Sequence, residues 1–213
     1  MKRTLDIALT VLGLLIFAPL IFLLSIIIYF DLGRPIFFTQ KRAGKNGKPF
    51  NIVKFCTMRT ISNDQEAQLS DAERQTRISR LVRAASLDEL PGLWNVLTGD
   101  MSLVGPRPLL LDYLPLYTEH QNRRHKVLPG ITGWAQINGR NLITWEERFN
   151  LDVWYVDNQS TLLDFSILFK TVWKVLSREG VNTATDSSMP RFTGTTEVSK
   201  CNSTMLPKDT RAD

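Results

Sequence analysis

Cysteine and histidine are scarce in this 213-residue sequence, with two of each. Cys56 and Cys201 lie far apart, with no CxxC and no Cys/His spacing. That argues against a zinc site or a disulfide framework and suits a reducing compartment. Neither cysteine is placed like a nucleophile. His120 and His125 sit in a polar stretch beside Arg123 and Arg124 and read as surface residues. A Walker loop, GxGxxG, G-x-S-x-G and HExxH are all missing, so the enzyme classes that rest on those motifs have no footing here. No internal repeat is visible.

Acidic residues are rare at the amino-terminal end. Residues 1–59 carry nine Lys/Arg against only Asp6 and Asp31, a net +7, while the whole chain carries +5. The remainder is therefore slightly acidic. A nucleic-acid binder spreads its basic surface over the folded domain. Here the excess brackets an apolar segment, which points to anionic lipid headgroups and to no nucleic-acid partner.

That segment, Ile7 to Phe30, is 24 residues without a charge. As a helix it extends about 36 Å, enough to cross a hydrocarbon core of about 30 Å. A cleaved signal peptide fits poorly, because the run is long and no A-x-A site follows. Pro19, after Ala18, lacks an amide hydrogen and clashes with the Leu15 carbonyl, so the helix should bend at this hinge. Lys2 and Arg3 precede the run, and Arg34, Lys41, Arg42, Lys45 and Lys48 follow it. Cations on both sides make both ends look cytoplasmic. A spanning helix and a re-entrant one both remain open on these grounds.

The rest alternates short elements. Pro35–Gln40 and Phe50–Arg59 read as strands of a small hairpin around the turn at Gly44–Pro49. Asn63–Arg83 reads as a polar, solvent-facing helix. A short helix follows from Ser86 through Leu97, with a stop at Gly99. Ser102–Pro108 reads as stiff loop, Tyr113–Lys126 as helix, Pro129–Arg140 as turn and short strand, and Trp145–Tyr155 as helix. Thr161–Arg178 is amphipathic, with Lys170, Lys174 and Arg178 on one stripe and Leu162, Phe165, Leu168, Phe169, Val172, Trp173 and Leu176 elsewhere. It suits either the headgroup plane or a core with a basic edge. The five tryptophans read as core and membrane-interface groups. After Val181, Thr, Ser, Pro and scattered charge predict a flexible tail over 182–213, whose removal should spare turnover.

Asp88 and Glu89 are the leading candidates for chemistry. Ser86-x-x-Glu89 also fits a capping box, in which Glu89 reaches back to the helix start. Near a helix N-terminus the ionised carboxylate is favoured, as a nucleophile or metal ligand requires. Lys54, Arg59, Arg107 and Arg140 are candidate phosphate-binding cations. Lys54 and Arg59 fall on opposite strand faces, while Arg107 is clamped between Pro106 and Pro108. Gly105 would let a ligand approach the backbone. Each Arg taken singly also fits a surface salt bridge.

These segments resemble the bacterial sugar transferases, monotopic phosphoglycosyl transferases that begin lipid-linked glycan assembly. The resemblance rests on Gln40-Lys41-Arg42 with Gly44–Arg59, Ser86–Gly105 (SLDELPGLWNVLTGDMSLVG), Pro106-Arg107-Pro108, Leu128–Arg140 (LPGITGWAQINGR) and Tyr155–Thr171. It implies an α+β fold: a re-entrant membrane helix (1–34), then a small, mostly helical catalytic domain (35–181) with a short β-hairpin and interfacial amphipathic helices. It implies Asp88 as nucleophile with Glu89 as its partner, both at a Mg²⁺ site. The implied partners are a UDP-sugar, polyprenyl phosphate, membrane lipids and downstream glycosyltransferases. The implied location is the cytoplasmic face of the bacterial inner membrane. One departure is Ala18-Pro19 where the minimal members carry Ser-Pro. The rivals are a membrane glycosyltransferase that releases UDP and a non-enzymatic membrane scaffold.

Overall fold

The computed structural model describes residues 2–59, 70, 73–139, 143–177 and 190–195. Its fold is α+β, as expected. Helix α1 (Lys2–Leu32) runs through Pro19 without interruption. It is long and apolar enough to cross a membrane, and little of it is buried against protein. One stripe nevertheless meets the domain along its length. Arg3 donates to Val96 O and Leu97 O at 2.6 and 3.0 Å. Asp6 accepts from Ser102 Oγ and Leu103 N. Farther along, Leu20, Ile21, Leu24 and Ile28 pack on Phe55, Val82, Leu87 and Leu90. At the far end, Asp31 accepts from Thr76 Oγ1. The remaining faces expose Leu12, Leu15, Ile16, Phe22, Leu23 and Phe30.

Strands β1 (Phe37–Ala43) and β2 (Pro49–Phe55) form the expected antiparallel hairpin, closed by a 3-10 turn at Lys45–Gly47 where Asn46 and Gly47 take positive φ. Both are at home in that region, Gly for lack of a Cβ and Asn through its short polar side chain. Helix α2 (Arg77–Ala84) starts at a capping box on Thr76. It covers only the end of the expected Asn63–Arg83 helix: residues 73–76 are turn and coil, while 63–69 and 71–72 lie outside the described residues. Nor is it wholly solvent-facing: Ser79 and Val82 are buried. A 3-10 helix (Leu87–Gly92) leads into α3 (Leu93–Thr98), which stops at Gly99 as expected, with φ at 97°.

Three expectations in the middle of the chain need correction. The segment read as loop contains β3 (Ser102–Val104), which pairs in parallel with β4 (Gly130–Thr132). The expected Tyr113–Lys126 helix is broken into a 3-10 helix (Leu111–Leu116), α4 (Glu119–Asn122) and a second 3-10 helix (Arg123–Lys126). Pro115 has no amide to donate, and Thr118 starts a new helix with its own capping box. Helix α5 (Trp134–Asn138) follows β4, where turn and strand were expected. Helices α6 (Trp145–Asn158) and α7 (Thr161–Leu176) agree with the sequence reading.

Helix α7 has two apolar faces. Ile167 is fully buried, and Leu163 and Leu168 pack on the central core. Leu162, Phe169, Val172 and Trp173 are exposed, while Lys170 lies over the Trp134 ring and Lys174 donates to Ile137 O at 2.6 Å. One face therefore serves the core, and the outward apolar face suits a lipid surface.

The core has three parts. The central one joins Ile52, Val96, Met101, Val104, Ile137, Tyr155 and Ile167. The second lies under α1, and the third gathers Leu109, Tyr113, Phe149 and Phe192. Phe192 corrects the expected tail boundary. It is 5% exposed, Arg191 pairs with Asp112, and the Trp145 indole donates to Pro190 O. Residues 190–195 thus belong to the folded body. A single aromatic among polar residues suffices, because a waiting aromatic pocket supplies the rest of the contact area.

Candidate active site

Asp88 and Glu89 lie on the 3-10 helix Leu87–Gly92, directly beneath the Leu20–Ile28 stretch of α1. Ser86, just before it, takes a left-handed conformation and makes no side-chain cap. The capping-box alternative therefore fails: Glu89 points elsewhere. Its Oε1 accepts from Lys54 Nζ at 2.7 Å and from Arg107 Nη2 at 2.6 Å, and its Oε2 accepts from Arg107 Nη1 at 3.3 Å. The Asp88 side chain makes no hydrogen bond among the described residues and is half-buried.

Each partner is held in place by the fold. Lys54 is the penultimate residue of β2, whose outer edge is closed by a side chain. Asn95 Oδ1 accepts from Val53 N at 3.0 Å, and its Nδ2 donates to Asn51 O at 2.8 Å. Arg107 follows β3 on a backbone locked by glycines. A Cβ at Gly105 would lie 2.3 Å from Leu128 O, and one at Gly130 would lie 2.1 Å from Gly105 N. Gly105 therefore serves close backbone packing rather than ligand approach. The Arg107 carbonyl accepts from Arg124 Nη2 at 2.7 Å, and Arg124 pairs with Asp152 of α6 at 2.7 Å. That ion pair is almost fully buried, at 1% and 2% side-chain exposure. Neighbouring His125 is buried too, with Nδ1 3.1 Å from Gly44 O. The surface reading holds for His120 and fails for His125.

The two carboxyls are pushed in opposite directions. Burial disfavours charge on Glu89, but Arg107 and Lys54 and their hydrogen bonds prevail, and its pKa falls to about 2. Asp88 goes the other way. Burial raises it, the adjacent Glu89 charge adds to that, and Lys54, Arg107 and Arg83 offset only part. The helix-end argument predicted a favoured anion here; burial and a like charge outweigh it. Glu89 is thus a fixed counter-ion, while Asp88, whose side chain has no hydrogen bond among the described residues, is the more basic carboxylate. Two carboxyls whose environments separate their proton affinities mark a division of roles.

Lys54 and Arg107 reach the acid pair. Arg59 does not: β2 ends at Phe55, and among the described residues the polar contacts of Arg59 run from its backbone to Arg74. Arg140 lies outside the described residues. Ala18 and Pro19 are exposed on α1. The sequence reading missed Asn95, Arg124 and Asp152. Asp152 carried a signal, since it falls on the same helical face as Phe149, an acid on an apolar stripe that calls for a buried partner.

The bacterial sugar transferase family description matches residues 1–178. The chain belongs to the bacterial sugar transferase family. Among its relatives, the uncharacterized sugar transferase EpsL of Bacillus subtilis (strain 168) is 52% identical over 199 residues, covering 93% of this chain and 98% of the relative. The undecaprenyl-phosphate galactose phosphotransferase of Salmonella typhimurium is 38% identical over 199 residues, covering 84% of this chain and 41% of the relative. The UDP-glucose:undecaprenyl-phosphate glucose-1-phosphate transferase of Escherichia coli (strain K12) is 40% identical over 185 residues, covering 82% and 40%. This sugar transferase thus spans nearly all of EpsL and about two fifths of the other two.

Proposed function

We propose that this sugar transferase moves a sugar 1-phosphate from a UDP-sugar to undecaprenyl phosphate, releasing UMP. The observation that carries the reading is Asp88: a carboxylate without an ion pair among the described residues, beside an acid already neutralised by two cations, at the seam between domain and apolar helix. The names of the Salmonella and Escherichia relatives support the donor and acceptor classes.

In the first step an Asp88 oxygen attacks the donor's β-phosphorus. The bond from that phosphorus to the bridging oxygen breaks, and its electron pair leaves with UMP. In the second step an oxygen of undecaprenyl phosphate attacks the same phosphorus. The phospho-sugar passes to the lipid and the Asp88 carboxylate is restored. Lys54 and Arg107, fixed by Glu89, offset charge on the diphosphate, since phosphoryl transfer depends mainly on positioning and electrostatics. No side chain among the described residues donates to the Asp88 carboxylate, whereas both Glu89 oxygens are engaged, so of the two acids Asp88 is the better fit as a protein ligand for a hard cation such as Mg²⁺. Such an ion, when bound, supplies further charge compensation.

Contacts at both ends of α1 with one domain favour a helix that dips into the cytoplasmic leaflet without crossing. A crossing helix flanked along its length by this domain would carry charged groups to the bilayer centre. Outward-facing Leu162, Phe169 and Trp173 on α7 fit the same placement. The lipid-linked product then suits a downstream glycosyltransferase.

Asp88→Asn tests the role. The variant, given UDP-sugar, Mg²⁺ and lipid phosphate, should release no UMP while unfolding at the wild-type temperature. Wild-type UMP release would remove Asp88 from the chemistry, and release of UDP would favour direct glycosyl transfer.

A further inference from the structure

One cation near the acid pair is not used by it. Arg42, close to the end of β1, is half-buried and walls the same recess as Lys54, Glu89 and Arg107. Its side-chain hydrogen bond runs to a neutral partner, Gln40 Oε1, at 2.6 Å, and no carboxylate pairs with it among the described residues. Glu89 is already shared between two cations. Burial and then the nearby Arg107 charge both work against the Arg42 guanidinium, with Tyr113 and Glu89 offsetting only part. A buried cation facing another is costly until an anion joins them.

The recess and its order define that anion. Its interior is about 70 Å³, room for a handful of waters or one phosphate group. Ile52, Met101, Pro108, Leu109 and Ile131 supply its apolar walls. Asp88 is not part of the lining. Lys54 and Arg107 both bond Glu89, next to Asp88, whereas Arg42 does not and pairs across the hairpin with Phe50, four residues from Lys54. Arg42 thus stands farther along the recess from the acid pair than Lys54 and Arg107.

We propose that Arg42 binds the α-phosphate of the nucleotide donor and takes up the charge that the departing UMP acquires. This rests on the transfer reading above. When the bond between the β-phosphorus and the bridging oxygen breaks, its electron pair collects on the α-phosphate side. A guanidinium fork there meets two oxygens at once, and that contact strengthens as the charge grows.

The test uses full-length protein in detergent with Mg²⁺ and compares wild type with Arg42→Met. Calorimetric titration of UMP should show affinity about 10- to 100-fold weaker in the variant, the span of one charge-assisted hydrogen bond. Uridine, without a phosphate, should bind both equally. The single-turnover rate of UMP release from UDP-sugar should fall in the variant, while KM for polyprenyl phosphate stays the same. Equal UMP affinity in the two proteins, or no UMP binding to wild type, overturns the assignment. If Arg42→Met melts well below wild type, Arg42→Gln decides by the same comparison. Arg42-dependent UMP binding with no UMP release from any UDP-sugar would support the phosphate contact while removing the transfer reading.

Discussion

Replacing Glu89 with Gln keeps the side chain's shape and withdraws one negative charge from between Lys54 and Arg107. The carboxyl's drop from 4.5 to about 2 gives the magnitude. At about 1.4 kcal/mol per pH unit it corresponds to roughly 3 kcal/mol favouring the ionised, paired form. The side chain is only 20% exposed, so solvent screening removes little of this. Because the folded value lies below the unfolded one, the contribution is complete above about pH 4.5 and fades as pH falls toward 2. Glu89→Gln should therefore lose about 3 kcal/mol at pH 7, with two cations left facing each other, and the gap should narrow in acid. Denaturant unfolding of the detergent-held protein at a series of pH values measures both. Equal stability at pH 7, or an equal gap at every pH, would refute the assignment of Glu89 as the buried counter-ion.

The remaining expectations concern the supports of the site. Asp152→Asn leaves Arg124 buried without its counter-ion and should cost about 3–5 kcal/mol in denaturant unfolding, with catalytic loss following from a displaced Arg107 backbone. His125 is pushed down to about 4 by burial and then by Arg124, so folding favours its neutral ring. Stability should decline as pH falls from about 6.5 toward 4, by up to about 3 kcal/mol, and His125→Gln should lose that dependence. Phe192→Ala should cost about 3–5 kcal/mol, and truncation after residue 181 should lower the melting temperature rather than leave the protein unchanged.

What the sequence conveyed about the site follows the range of the interactions. The acid pair, the proline-clamped Arg107 and Lys54 were visible because each is a local feature. Their assembly was not, since Glu89 meets Lys54 and Arg107 across separations of 35 and 18 residues. The direction of the Asp88 shift was missed for the same reason, because burial is set by α1 and the hairpin rather than by helix position. The hairpin, α6 and α7 are long enough for periodicity to show, whereas β3 and β4 have three residues each. Arg123–Lys126 looked like surface because its composition is basic, yet Arg124 is buried by an acid 28 residues away.

Quenched-reaction mass spectrometry of the wild-type enzyme tests the central claim most directly. Protein mixed with UDP-sugar and Mg²⁺, without lipid phosphate, should gain the mass of one phospho-sugar on the peptide containing Asp88 and lose it when undecaprenyl phosphate is added. Lipid-linked product that accumulates while that peptide never changes mass would contradict the account.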